Sequence, residues 1–179
     1  MFGKKSEERG IVGGVMGIRR RVLLTGAALA LIAASSFAAG TALATPGQGV
    51  SQTPVASGVL PEPVRMKLKD EAGFGDGIDV SNVSIVKNVV QPGGYFGWHQ
   101  HGGPSWIVVT QGTLTFYDGD DATCTGHPVS AGNAYLDLGD HTHNARNETN
   151  APVENYVVRL LPAGGATRID MPDPGVCPF

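Results

Sequence analysis

Charge is scarce in this sequence. Only 16% of its 179 residues are charged, with 13 Lys+Arg against 16 Asp+Glu and a net charge of −3. Nothing here offers nucleic acid a basic face. Cysteine is scarcer: Cys124 and Cys177 are the only two. Both sit in Pro/Gly/Asp-rich loops away from the histidines, which argues against a cysteine metal site. Long helical periodicity is missing as well. Beyond residue 44 no window keeps a 3.6-residue apolar period for three turns, which argues against a helical bundle. No Ser-His-Asp or Cys-His arrangement offers a nucleophile. What is plentiful is turn-forming residues, Gly 26 and Pro 12, alongside a hydrophobic fraction of 41%. That mixture suits one turn-rich β domain of ordinary size.

The charge is unevenly placed. Residues 1–44 hold six of the basic residues, Lys4, Lys5, Arg9, Arg19, Arg20 and Arg21, and two acidic ones, Glu7 and Glu8. The remainder is acidic. Arg19-Arg20-Arg21 precedes an uncharged stretch from Val22 to Ala44 that ends Ala42-Leu43-Ala44, a small-x-small exit. A basic flank, an apolar centre and a small-residue exit form an export signal, with cleavage expected after Ala44. The arginines also fit a twin-arginine signal. The alternative is an uncleaved membrane anchor, since about 20 apolar residues span a bilayer. Either way the following domain is expected outside the cytoplasmic membrane, touching it only through this segment. In that compartment Cys124 and Cys177 are expected to form one disulfide.

Residues 45–62 are rich in Pro, Gly, Ser and Thr and are expected to be a flexible linker. From residue 63 to 179, short β-type runs alternate with turn clusters. "VRMKLK", "VSNVSIVKNVV", "SWIVVTQG", "TLTFYDGDD" and "VENYVVRLLP" are the clearest. Turns every eight to twelve residues predict an all-β antiparallel sandwich or barrel.

The histidines carry the chemistry. His99 and His101 stand two apart in "GWHQHGGPSW", and His141 and His143 form a second such pair. Side chains two apart on a strand share a face, and convergent imidazoles from separate strands make an open metal site. His127 stands alone before Pro128. Trp98 and Trp106 flank the first pair, and with Tyr95 and Tyr117 they are candidates for pocket walls.

The spacing resembles the cupin superfamily. Its first motif, G-x5-H-x-H-x3,4-E-x6-G, is matched by Gly93, His99, His101 and Gly112, with Ser105 at the glutamate, or Trp106 if the spacer is four. Its second, G-x5-P-x-G-x2-H-x3-N, is matched by Gly132, His143 and Asn147, with Leu138 at the proline and Asp140 at the glycine. The resemblance spans residues 63–162. It implies a cupin-type β-barrel of the jelly-roll kind, with His99, His101 and His143 as metal ligands and Asn147 as a structural residue. It also brings in a homodimer formed through the sheets.

Without the glutamate, three neutral ligands leave a divalent ion its full charge. Such a set suits Zn, Fe, Ni, Cu or Mn. His141 is either an extra ligand, a nearby base or a rim residue. Asp137, Asp140, Glu148 and Glu154 read mostly as a solvated acidic face, though one of them could orient a ligand histidine. Arg159 reads as an outward or salt-bridged strand residue and, less often, as an anion anchor for a substrate. The expected function is therefore an exported metal-binding cupin acting on a small polar molecule. A metal-dependent dioxygenase, a non-catalytic metal or ligand binder, and a structural barrel with a decayed site all stay open.

Overall fold

The structure is a computed structural model, and it describes residues 44–70, 73–74 and 77–179. The expected export signal or anchor lies outside the described residues, apart from Ala44. Among the described residues no helix is long and apolar enough to cross a membrane.

The described residues are all-β, as expected for the domain. Its strands are β1 (Gln48–Met66), β2 (Lys69–Asp70), β3 (Gly73–Phe74), β4 (Ile78–Tyr95), β5 (His99–Gln100), β6 (Ser105–Gln111), β7 (Thr113–Asp118), β8 (His127–Ser130), β9 (Ala134–Asp137), β10 (His143–Arg146), β11 (Val153–Leu161) and β12 (Ile169–Asp170). The main path runs β12-β5-β10-β4-β11-β6-β9, all antiparallel, with β1 on β4 and β7 bridging β10 to β8. The result is a nearly closed antiparallel barrel, the architecture of a jelly roll. The inward residues of β4, β6, β7, β10 and β11 form its core: Val90, Ile107, Val109, Leu114, Phe116, Ala145, Val153 and Val157.

The stretch expected to be a linker is strand. β1 pairs with β4 from Gln48↔Tyr95 to Met66↔Ile78, with three register shifts. Nearly all its side chains are exposed, so the ladder of main-chain hydrogen bonds holds it rather than burial. Pro54, Pro61 and Pro63 fit this place, since proline is tolerated on a strand that has one free edge.

The C-terminal tail returns to the barrel end that carries β5. β12 pairs with β5 at Ile169↔Gln100 and Asp170↔His99. Cys124 and Cys177 form a disulfide. Together with Trp98 and Tyr117, Cys177 makes a small buried cluster beside the main core.

Candidate metal centre

Two short segments deliver the histidines. His99 and His101 leave β5, and His143 opens β10 directly opposite His99 in the ladder. Between them, Gly139 has φ +96°, and a Cβ there would meet the Gly103 carbonyl oxygen at 2.5 Å. Only glycine allows the 137–143 loop to lie this close to the 99–105 loop. The Gly139 carbonyl then accepts the His101 main-chain N–H at 3.0 Å.

His99, His101 and His143 converge, with one ligand nitrogen of each within 4.8 Å of the others. The ring centroids are 4.9 Å (99–101), 4.4 Å (99–143) and 5.2 Å (101–143) apart. All three are buried. Each Nδ1 faces a main-chain carbonyl: His99 that of Gly97 at 2.8 Å, His101 that of Thr167 at 2.6 Å, and His143 that of His141 at 3.3 Å. A carbonyl only accepts, so each Nδ1 carries the proton and each Nε2 keeps its lone pair. Fixing Nδ1 in this way is how proteins orient metal-binding histidines.

Burial keeps the three rings neutral. It pushes His99 down to about 2, aided by His143, Arg168 and His101. It pushes His101 down to about 3, with His143 next in size. His143 is lowered for the same reason. Uncharged at neutral pH and with free Nε2 atoms, the residues fit a divalent cation without first losing a proton.

Ser105 is fully buried on β6, and its Oγ has no partner. Opposite it on β9 stands Asp137, also fully buried. Asp137 is therefore not part of a solvated face; of the four acids it is the one placed to orient a histidine. Its Oδ1 accepts the Gly139 N–H at 2.9 Å and lies 3.6 Å from His143 Nδ1. Its Oδ2 lies 3.6 Å from His101 Nε2. Burial pushes the Asp137 carboxyl up, and His143 opposes this. Arg159 is also neither outward nor salt-bridged. It is buried on the inward face of β11 and lines the same cavity as the three histidines. An inward register, and not residue type, puts both of them there.

The remaining candidates fall elsewhere. His141 is half-exposed at the rim, 3.3 Å from Asp140 and 3.9 Å from Asp118, and it serves the site through its carbonyl. Asn147 is buried and structural: its amide donates to the carbonyls of Val90 and Ala151, and its oxygen accepts from Thr149. None of the four aromatic candidates lines the cavity. Trp98 packs with Tyr117 and Cys177. Trp106 points out of the barrel, since Ser105, Ile107 and Val109 point in. The Tyr95 hydroxyl donates to Gln48, with Arg146 over its ring, and the Tyr117 hydroxyl donates to Glu148. Phe96, Ile107, Leu114, Phe116 and Val157 form the apolar walls instead, around a cavity of ≈160 Å³.

Residues 88–159 match the family described as Cupin domain. No curated protein matches the chain. Among solved structures, the cupin domain of an XRE family transcriptional regulator from Enterobacter cloacae is 19% identical, with a TM-score of 0.43. The match covers 64% of this chain and 99% of that one. A conserved protein with a double-stranded β-helix domain from Klebsiella pneumoniae is 20% identical, covering 62% and 87%, with a TM-score of 0.41. Residues 88–159 are thus similar to a cupin domain, and the three-histidine cluster lies inside the matched span.

Proposed function

We propose that this cupin domain holds a divalent metal ion through the Nε2 atoms of His99, His101 and His143 and uses it to bind a small polar molecule in the adjoining cavity. The observation that carries the reading is the shared fate of the three Nδ1 atoms. Each faces a main-chain carbonyl, which leaves three neutral, buried Nε2 lone pairs at one place. Three imidazoles suit Zn²⁺ and, with less selectivity, Fe²⁺, Mn²⁺, Ni²⁺ or Cu²⁺. When bound, such an ion supplies Lewis acidity and open positions, the requirements of a dioxygenase. The protein's own residues orient the ligand nitrogens, exclude water with Phe96, Ile107 and Phe116, and limit the size of what enters.

The reading includes export across the cytoplasmic membrane. The basic and apolar leader supports it, and so does the Cys124–Cys177 disulfide, which suits an oxidising compartment. Intact mass of the mature protein, beginning at Thr45 or at Met1, tests it.

Metal analysis of protein purified without a histidine tag tests the site. One equivalent of metal, lost in the His99→Ala, His101→Ala double variant, is expected. Wild-type protein that takes up no metal after loading would sink the reading. Oxygen uptake with Fe²⁺ across diols, thiols and phenolics then separates a dioxygenase from a non-catalytic binder.

A further inference from the structure

We propose that Arg159 anchors the carboxylate of a small organic acid, and that this ligand carboxylate takes the place of the acidic side chain that Ser105 does not supply. The inference deepens the metal reading above and rests on it for the ligand's second contact, with the histidine-held ion.

The first support is an unpaired guanidinium. Arg159 is 7% exposed, and a buried charge is costly unless it is paired. Among the described residues its side chain makes no hydrogen bond or ion pair, and its Nε is buried without a partner. Arg168 lines the same cavity and gives the contrast. It donates to the Phe96 carbonyl at 2.9 Å and pairs with Asp170. One arginine of the cavity is used by the protein, and the other is left for a ligand.

The second support is the row in which Arg159 stands. Ladder partners across β4, β11, β6 and β9 read Ser84, Arg159, Ser105 and Asp137. Cross-strand partners share a face, so Arg159 has a serine on each side. An acid at 105 would lie beside its guanidinium. Asp137 is one strand further away, and its Oδ1 already accepts the Gly139 N–H. The row therefore holds a cation with no acid at either adjoining ladder position, and Asp137 acts on it only from beyond Ser105.

The third support is proximity and size. Arg159, His99, His101 and His143 line one cavity. A ligand that touches Arg159 therefore shares that cavity with the three histidines. The cavity of ≈160 Å³ is below the roughly 300 Å³ at which pockets for drug-sized ligands begin. Val86, Ile107 and Val157 line it, so the body of the acid is small and its flank apolar. A guanidinium fork meets a carboxylate with two parallel hydrogen bonds.

The test is calorimetric titration of zinc-loaded and of chelator-treated protein. The probes are acetate, glycolate and benzoate, the amide of each, and inorganic phosphate. At least one carboxylate is expected to bind, with its amide at least ten-fold weaker. Arg159→Gln should weaken that carboxylate at least ten-fold while keeping one zinc per chain, and Arg159→Lys should lose less. Ser105→Glu, which supplies the acid within the chain, should abolish carboxylate binding while the thermal melt stays cooperative. Equal binding by Arg159→Gln, no carboxylate bound, or phosphate preferred to every carboxylate would each overturn the proposal. If Arg159→Gln does not fold, the carboxylate-to-amide ratio in wild type decides: a ratio near one overturns it. If wild type holds no zinc, the metal reading fails by itself. Carboxylate binding by that metal-free protein, lost in Arg159→Gln, still upholds the anchor, and no binding overturns it.

Discussion

Ser105 and Asp137 stand opposite each other in the β6–β9 ladder, both fully buried, and each has an oxygen without a hydrogen-bond partner. The acid missing from one strand is thus matched by an acid on the next, on the same inward face. Asp137 does not join the three histidines as a ligand group, yet it sits 3.6 Å from a nitrogen of two of them. Its charge lies beside any cation they hold.

Asp137→Asn should therefore separate metal affinity from stability. The Asn oxygen can still accept the Gly139 N–H, so the loop is kept. The buried charge, which burial disfavours in the metal-free protein, is removed. Chelator competition should show metal bound on the order of ten-fold more weakly, with the metal-free melting midpoint equal or higher. Unchanged affinity would remove Asp137 from the site.

Gly139→Ala should damage the fold and the site together. A non-glycine residue at positive φ costs about 1–2 kcal/mol in any surroundings. At Gly139 the added Cβ also meets the Gly103 carbonyl. Gly132 has φ +87° and open space around it, so Gly132→Ala is the matched control for backbone cost alone. Urea unfolding should show Gly139→Ala the less stable of the two by at least about 1 kcal/mol, with weaker metal retention. Equal losses would mean that the loop yields without moving His101.

The three-histidine cluster was legible because its signal is spacing. His99 and His101 share a strand face by spacing alone, and the interval to His143 completes the family pattern. Arg159 was not legible because the sequence "VENYVVRLL" does not reveal its inward face. The buried set is Val153, Asn155, Val157, Arg159 and Leu161, while Tyr156, Val158 and Leu160 point outward. Apolar residues lie on both faces, and two of the inward residues are polar. Only registration against β4 and β6 tells them apart. β1 was read as a linker for a related reason: its side chains bury almost nothing, so no apolar period marks it. Trp106 failed in the opposite sense, a large aromatic placed outside by the parity of its neighbours.

Metal-free protein should lose stability as pH falls from about 6.5 toward 4. In the unfolded chain a histidine takes up its proton near pH 6.5. In the fold, burial holds His99 at about 2 and His101 at about 3. Between these limits the unfolded state binds more protons, so stability is fully present above the unfolded value and is lost on acidification. Each of the two contributes a slope of about 1.4 kcal/mol per pH unit once below the unfolded value. Urea midpoints measured with a chelator present at pH 7.5, 6, 5 and 4.5 check this. The double variant His99→Ala, His101→Ala should flatten the curve, and an equally steep one would place the acid sensitivity elsewhere.

Breaking the disulfide should loosen the site as well as the tail. Cys124–Cys177 closes a separation of 53 residues, for which chain entropy predicts a loss of about 2–4 kcal/mol on removal. The tail it holds also orders His101, whose Nδ1 faces the Thr167 carbonyl at 2.6 Å. The Met171 N–H donates to the Trp98 carbonyl at 3.0 Å, and Trp98 packs against Cys177. Freeing Cys177 therefore weakens, in turn, the Trp98 cluster, the β12–β5 ladder and the fixed tautomer of His101. The Cys124→Ser, Cys177→Ser double variant should unfold at lower urea than wild type. Amide exchange should rise from Thr167 to Met171, and metal should be released faster to a chelator. Lower stability with unchanged exchange and release would confine the disulfide's role to the unfolded chain and detach the tail from the metal centre.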